Sequence, residues 1–239
     1  AQQGRTLNIP GGDAPNCVSG VAFLKAFNEG RMKVTADKVV CVGGGDTSID
    51  VVSVARRLGH IEQTNPTDRP ELVVQDGFVA HDSAVTAAAQ GADVTLTSLF
   101  PKENMTAAEH EVNDALHEGV TILDGVMPVE VIKGEDGRAT ALKIAQCTLE
   151  DGRPTVIEGT EQILEADLIV SAIGQGGDME GLEDYANERN LIDADKFYQV
   201  PNRPGHFAAG DIIRPHLLTT AIGQASVCAE TVNAYLSEA

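Results

Sequence analysis

Four consecutive apolar residues, Val39-Val40-Cys41-Val42, run straight into Gly43-Gly44-Gly45 and then into Asp46-Thr47-Ser48-Ile49-Asp50, a helix-like pattern that continues through Arg57 to Gly59. A buried strand, a glycine turn and a helix in that order confine the chain to an α/β architecture. The chemistry available at the turn is specific. Gly43 can take the tight bend, and Gly45 lets the backbone come close to a bound pyrophosphate. Ser48, at the third fingerprint position, is small enough for the helix to pack near the strand. Phosphates would then face the N–H groups and the positive dipole end of the helix. The motif reads G-x-G-x-x-S, and an ordinary strand–loop–helix turn is the competing reading of the glycines taken alone.

The chain of 239 residues suits one large domain or two small ones. A hydrophobic content of 42% with 22% charged residues describes a soluble globular protein. No apolar run approaches the roughly 20 residues needed to cross a bilayer, and Ala1-Gln2-Gln3-Gly4-Arg5 does not read as a signal peptide. The four cysteines, Cys17, Cys41, Cys147 and Cys228, form no C-x-x-C pair. That argues against a disulfide framework, a zinc ribbon, an iron–sulfur cluster or a dithiol redox centre in these residues. A cytoplasmic location is expected. The formal charge of −19 disfavours nucleic acid and anionic membrane as partners and is read first as a well-solvated acidic surface.

Val18, Val21, Leu24 and Phe27 fall at helical spacing and predict a helix ending near Gly30. Asp37 to Val42 is the first core strand, and the helix after it carries Ile49, Val52, Ala55 and Leu58 on one face. Residues 60–82 carry loop signals, Asn65-Pro66, Arg69-Pro70 and Asp76-Gly77, and read as an insertion ahead of a helix over Ser83–Gln90. A strand over Asp93–Leu99, a helix over Met105–Glu118 and a strand over Val120–Leu123 follow. Val129–Ile132, Ala139–Cys147 and Thr155–Ile163, separated by acidic-glycine turns, predict an antiparallel meander. Ala166–Ile173 is another buried strand, and Glu180–Asn190 is expected to be helical. A short strand at His206–Ala209 and a closing helix over Thr219–Leu236 complete an α/β chain with a parallel sheet and an antiparallel flap.

The stretch Val42 to Asp50 resembles the nicotinamide-binding fingerprint of flavoprotein reductases that bind two dinucleotides. The resemblance is to the glutamate synthase small-subunit-like NAD(P)H:acceptor oxidoreductases, of the pyridine nucleotide-disulfide oxidoreductase superfamily but without its redox disulfide. Three further pieces are similar in the same order: Glu103 to Ala107 with Glu111, Ala115, Glu118-Gly119-Val120 and Pro128-Val129-Glu130; Asp167 to Gln175; and Phe207 to Ile212 with Leu218 to Ala225. The resemblance implies a Rossmann-like two-dinucleotide fold: a nicotinamide domain with a parallel sheet and meander, and the C-terminal part of an FAD domain. It divides the chain into 1–16, a crossover from an FAD-domain half not among these residues; 17–165, the NAD(P)H-binding domain; and 166–239, the closing strand and last FAD segment. The family's own FAD fingerprint, a first G-x-G-x-x-G, is absent, so the chain reads as a fragment or one piece of a split protein, with a partly missing FAD site.

The same resemblance implies the cofactor-binding set. Gly43, Gly44, Gly45, Asp46 and Thr47 would hold the nicotinamide dinucleotide, and Gly174 would end the strand that closes that domain. Gly210 and Asp211 would meet the FAD ribityl or pyrophosphate region. The backbone of Thr219, Thr220, Ala221 and Ile222, opening the last helix, would stabilise negative charge on the reduced flavin. The family's Gly-Arg pair beyond them is replaced by Ala225-Ser226. Hydride transfer needs close stacking of nicotinamide on flavin and no acid or base, so no catalytic residue is nominated. No metal site is expected, the six histidines showing no ligand spacing. At the end of the second strand, NADP-selective relatives carry an arginine pair; here stands Ser98-Leu99-Phe100-Pro101-Lys102, in which Lys102 offers a phosphate a point charge alone. No acidic residue ends that strand to bind a ribose 2′-OH. The balance leans to NADH over NADPH, and Glu62 reads as a solvated loop charge.

The expected function is transfer of electrons from NAD(P)H through FAD to an iron–sulfur protein, a ferredoxin or a larger reductase subunit. The Ser-Leu-Phe-Pro segment and the insertion suggest a branch linked to dissimilatory sulfur metabolism. A glutamate synthase small subunit and a non-catalytic nucleotide-binding module are the alternatives.

Overall fold

The computed structural model describes residues 2–29, 36–56, 92–150 and 153–238. The expected insertion at 60–82, the helix over 83–90, the helix end at Arg57–Gly59, Glu62, His60 and His81 lie outside the described residues. In chain order the first elements are β1 (Gln2–Gly4), β2 (Cys17–Ser19), α1 (Gly20–Asn28), β3 (Lys38–Val42), α2 (Asp46–Arg56) and β4 (Asp93–Thr97). Then come α3 (Glu109–His117), β5 (Thr121–Leu123), β6 (Val126–Lys133), β7 (Ala139–Glu150), β8 (Arg153–Val156) and β9 (Gln162–Glu165). β10 (Leu168–Ser171), β11 (Gln175–Gly177) and α4 (Leu218–Glu238) close the order. The chain divides into a larger unit, Gly4–Gly174, and a smaller one, Gln175–Ala239 with Ala1–Gln3. The division falls after β10, because that strand lies inside the larger unit's sheet.

That sheet is parallel throughout, in the order β2-β10-β3-β4-β5. Its central strand explains why Val39 to Val42 carries no polar residue. Val39 and Cys41 point to one face, where they join Phe23 of α1, Val52 of α2, and Val112 and Ala115 of α3. Val40 and Val42 point to the other and pack with Leu142 and Ile144 of β7 and with Leu7 and Val131. A parallel strand covered on both faces has no polar side to show. The antiparallel layer centres on β7, which pairs β6 on one edge and β8 and β9 on the other.

One polar side chain ties the two sheets. Asn16 is 5% exposed, and its amide donates to the carbonyls of Ala139 at 2.9 Å and Asp167 at 2.7 Å. Its Oδ1 accepts the Ala139 N–H at 2.7 Å, so the start of β7 and the lead into β10 share one carboxamide.

The parallel sheet, the meander and the closing helix match the sequence expectation. Four local details differ. Val18 lies in β2, and α1 begins after it, capped by the Ser19 hydroxyl, which accepts the Ala22 N–H at 3.3 Å. Thr155–Ile163 is two strands, because Gly159 turns at φ 80° and the Thr160 hydroxyl donates back to the Ile157 carbonyl at 2.6 Å. Glu180–Asn190 is a turn network with a single 3-10 turn at Glu183–Tyr185. Gly181 and Asn190 hold positive φ there, and the Asn187 Oδ1 accepts the N–H groups of Arg189 and Leu191, which removes those amides from any helix. His206–Ala209 forms one bridge, Gln199 to Phe207, and no regular strand, since the Gly210 turn at φ 81° ends it.

The smaller unit has a modest core of Met179, Ile192, Val200 and Ala208. α4 is 21 residues long, yet none of Leu218–Ser237 is buried. Leu218, Ile222 and Leu236 are 76, 59 and 67% exposed. Among the described residues no helix is long and apolar enough to cross a membrane.

Asn16→Ala removes both roles of the carboxamide and strands a buried N–H and two carbonyls. It is expected to destabilise the larger unit by roughly 2–4 kcal/mol, read as a lowered urea midpoint by circular dichroism at unchanged slope. A shift below about 0.5 kcal/mol, the range of an ordinary surface change, would contradict this role.

Candidate functional site

After β3 the chain builds outward to β4 and β5 on one side, while β10 and β2 lie on the other. The order therefore reverses between β3 and β10, and the crevice beyond their carboxyl ends is the place where open α/β sheets bind ligands. The glycine turn sits at that point. Gly43 has φ 153° and donates its N–H to the Thr97 carbonyl at 2.9 Å. A Cβ there would overlap the carbonyl of Ala172, just beyond β10. At Gly44 a Cβ would come within 2.7 Å of the Ser98 hydroxyl, and at Gly45 within 3.2 Å of the Thr106 hydroxyl.

The turn is also held from above. The Gly44 carbonyl accepts the N–H groups of Thr106 at 3.0 Å and Ala107 at 3.2 Å, and the Thr106 hydroxyl at 3.3 Å. This is why α3 starts only at Glu109 although its pattern begins at Met105: the intervening backbone is spent on the glycine turn. Below it, Ser48 and Ile49 donate their N–H groups to the Gly45 carbonyl at 2.9 and 3.3 Å, opening α2. Ser48 is fully buried, its hydroxyl donating to the same carbonyl at 2.5 Å, so the third fingerprint position serves close packing. Gly43, Gly44, Gly45, Asp46 and Thr47 thus form one turn at the head of a helix, with the positive end of its dipole facing the crevice. Cys41 beneath is buried, which pushes its thiol well above the ordinary range. Asp50 is also pushed up, first by burial and then by the Asp46 charge one turn earlier.

Ser98 follows β4, and its side chain is engaged within the chain. It is 1% exposed, and its hydroxyl donates to the Phe100 carbonyl at 2.9 Å and accepts the Phe100 N–H at 3.2 Å. Lys102 is exposed in a short 3-10 turn, Lys102–Asn104, and its backbone N–H donates to Asp124 Oδ2 at 2.7 Å. Gly174, at φ 114°, lies beyond β10 on the same edge, its carbonyl accepting the Arg5 N–H at 3.0 Å. The larger unit therefore gathers the glycine turn, Ser98, Lys102 and Gly174 at one end of its sheet. Thr106, Ala172 and Asp124 belong to that end too. Thr106 and Ala172 fall in the family-like segments of the sequence without being marked there as site residues, since one sits in a helix pattern and the other inside a strand pattern, and Asp124 follows a strand that carries no motif.

The remaining residues lie in the smaller unit. Gly210 takes φ 81° and donates its N–H to the Gln224 side chain at 2.7 Å, which fixes the Gly210–Ile212 turn to α4. Asp211 Oδ1 accepts the His216 N–H at 3.3 Å. Thr219, Thr220, Ala221 and Ile222 occupy the opening of α4, where the Thr220 hydroxyl pairs with His216 Nδ1 at 2.9 Å. Among the described residues no group of three or more His, Cys, Asp or Glu is placed to hold a metal ion.

A family model described as pyridine nucleotide-disulphide oxidoreductase matches residues 2–225. The glutamate synthase [NADPH] small chain of Mycobacterium tuberculosis is 30% identical over 254 residues, covering 97% of this chain and 47% of that one. The NADP(+)-dependent formate dehydrogenase subunit beta of Moorella thermoacetica is 28% identical over 231 residues, covering 92% of this chain and 28% of that one. The chain thus spans about half the length, or less, of these curated relatives. Among solved structures, Mycobacterium tuberculosis FprA in complex with NADPH superposes with a TM-score of 0.70 at 15% identity, covering 100% of this chain and 62% of that one, a likeness of fold.

Two substitutions test the packing of the turn. Gly44→Ala drives a methyl into the Ser98 hydroxyl and is expected to cost about 1–3 kcal/mol; adding Ser98→Ala should recover at least about half of that in thermal denaturation. Strict additivity of the two changes would contradict the contact. Asp50→Asn is expected to stabilise the chain slightly at pH 7, by less than about 1 kcal/mol because the site is largely solvated, read as a small rise in melting temperature. An acid whose pKa is raised on folding loses stability as the pH climbs through its titration, so the gain should vanish well below pH 3.8, where Asp50 is protonated in both states. A gain that persists there would contradict the electrostatic cause.

Proposed function

The chain belongs to the pyridine nucleotide-disulphide oxidoreductase family, and from that premise we propose that it is the nicotinamide-binding part of a flavoprotein passing electrons from NAD(P)H through FAD to a redox partner. The observation that carries this reading is the side-chain-free turn at Gly43–Gly45 at the switch point of the parallel sheet. A pyrophosphate needs backbone N–H groups at close range, and a turn with no room for a Cβ at its first two glycines keeps that approach open. Asp46 and Thr47 head α2 beside it.

FAD, when bound, supplies the ring that takes up a hydride and gives up electrons to the partner. The chain's own contribution is positioning. Gly210 and Asp211 hold the turn that would face the ribityl or pyrophosphate region, and Gln224 locks that turn onto α4. The opening turn of α4, Thr219 to Ile222, presents helix N–H groups and a positive dipole end to negative charge. The apolar face of α4, with a groove lined by Ala209, Ala225, Cys228, Val232 and Leu236, is left uncovered by the described residues. In this reading the FAD cradle is only partly built by these residues. The partner would be an iron–sulfur protein, a ferredoxin or a larger reductase subunit.

A second reading, a glutamate synthase small subunit, draws on the 30% identity to the Mycobacterium tuberculosis chain. The lack of a charged fork after β4 counts against it, since that name specifies NADPH.

Calorimetric titration of the purified chain with NADH and with NADPH tests the proposal. Saturable binding of at least one at a single site per chain is expected, and Gly43→Val should weaken it at least about tenfold, because its side chain collides with the Ala172 carbonyl and displaces the turn backbone from the phosphates. A folded chain that binds neither nucleotide would overturn it.

A further inference from the structure

We propose that Asp124 sets the nucleotide preference of this chain toward NADH, acting from the third strand as the acidic group that the second strand lacks. The assignment rests on the reading of Gly43–Gly45 as a dinucleotide turn. In a mononucleotide fold entered at β3, the adenosine ribose lies beyond the carboxyl end of the next strand, here β4, and an acid at that position accepts its hydroxyl. Ser98 cannot take that part, its hydroxyl being buried and engaged with Phe100. Asp124 can.

β5 runs parallel beside β4, with Thr97 opposite Leu123, and Ser98 donates its N–H to the Leu123 carbonyl at 2.9 Å. Asp124, the next residue, therefore emerges at the same edge one strand over. Its Oδ2 accepts the Lys102 N–H at 2.7 Å, which places the carboxylate against the backbone leaving β4. Asp124 is exposed, and a carboxylate has acceptor capacity beyond one hydrogen bond, enough for a ribose hydroxyl.

The charges around this point are unequal. Lys102 contributes one cation, while Asp124 and Glu103, both exposed, contribute two anions. A 2′-hydroxyl can donate to the carboxylate, whereas a 2′-phosphate meets net negative charge with no bidentate fork among the described residues at this edge to offset it. A preference for NADH would differ from that carried in the names of the relatives above, NADPH and NADP(+).

The test is calorimetric titration of NADH and NADPH into wild type, Asp124→Asn and Asp124→Ala. Asp124→Asn keeps a carbonyl oxygen for the Lys102 N–H and removes only the charge. Wild type is expected to bind NADH at least about tenfold tighter than NADPH, and Asp124→Asn to narrow that ratio at least about fivefold, mainly by tightening NADPH. Asp124→Ala also frees the Lys102 turn, so weaker binding of both nucleotides there, with Asn behaving differently, separates charge from loop support. A wild type that prefers NADPH, or a ratio unmoved in Asp124→Asn while both nucleotides bind, would overturn the assignment. Failure of wild type to bind either nucleotide would overturn the dinucleotide reading itself, and the assignment with it.

Discussion

Three packed neighbours decide what the turn at Gly43–Gly45 can be. The Ala172 carbonyl occupies the space a side chain on Gly43 would need, the Ser98 hydroxyl does so at Gly44, and the amides of Thr106 and Ala107 fasten the Gly44 carbonyl. These groups come from the ends of β10 and β4 and from the lead into α3, so three separate parts of the larger unit converge on one backbone turn. The result is a turn whose shape is fixed before any ligand arrives. Preorganisation of that kind lowers the ordering cost of binding.

The two units differ in how completely they satisfy themselves. In the larger one, β3 is covered on both faces and Asn16 joins the parallel and antiparallel sheets through three hydrogen bonds. In the smaller one, a 21-residue helix leaves its leucines and isoleucine in water. The proposed function assigns that exposed apolar face to a partner. It places the nucleotide donor side in the larger unit and a shared flavin side in the smaller one.

Much of this was legible in the sequence because period and turn chemistry are local. The apolar run at Val39–Val42, the acidic-glycine turn at Glu135–Gly137 and the long pattern of α4 each produced the element expected. What failed was also local, and for identifiable reasons. Asn187 uses its side chain to capture two amides, so Glu180–Asn190 reads as a helix by composition and folds as a turn. The α3 pattern starts at Met105, yet its first amides serve Gly44, a contact that no spacing rule announces. Ser98 was legible as the residue at the strand end but not as a buried one. Asp124 lay one strand away from where a motif search looks. Tertiary placement, more than residue type, decides which polar group faces the crevice.

Under the proposed function the dinucleotide phosphates lie against the Gly43–Thr47 backbone. Amide chemical shifts of the nitrogen-15-labelled chain during an NADH titration report on this directly. The account predicts that the largest perturbations fall on Gly43, Gly44, Gly45, Asp46 and Thr47, with Ala172 following. Saturable binding that leaves those amides unmoved and perturbs other residues instead would contradict it.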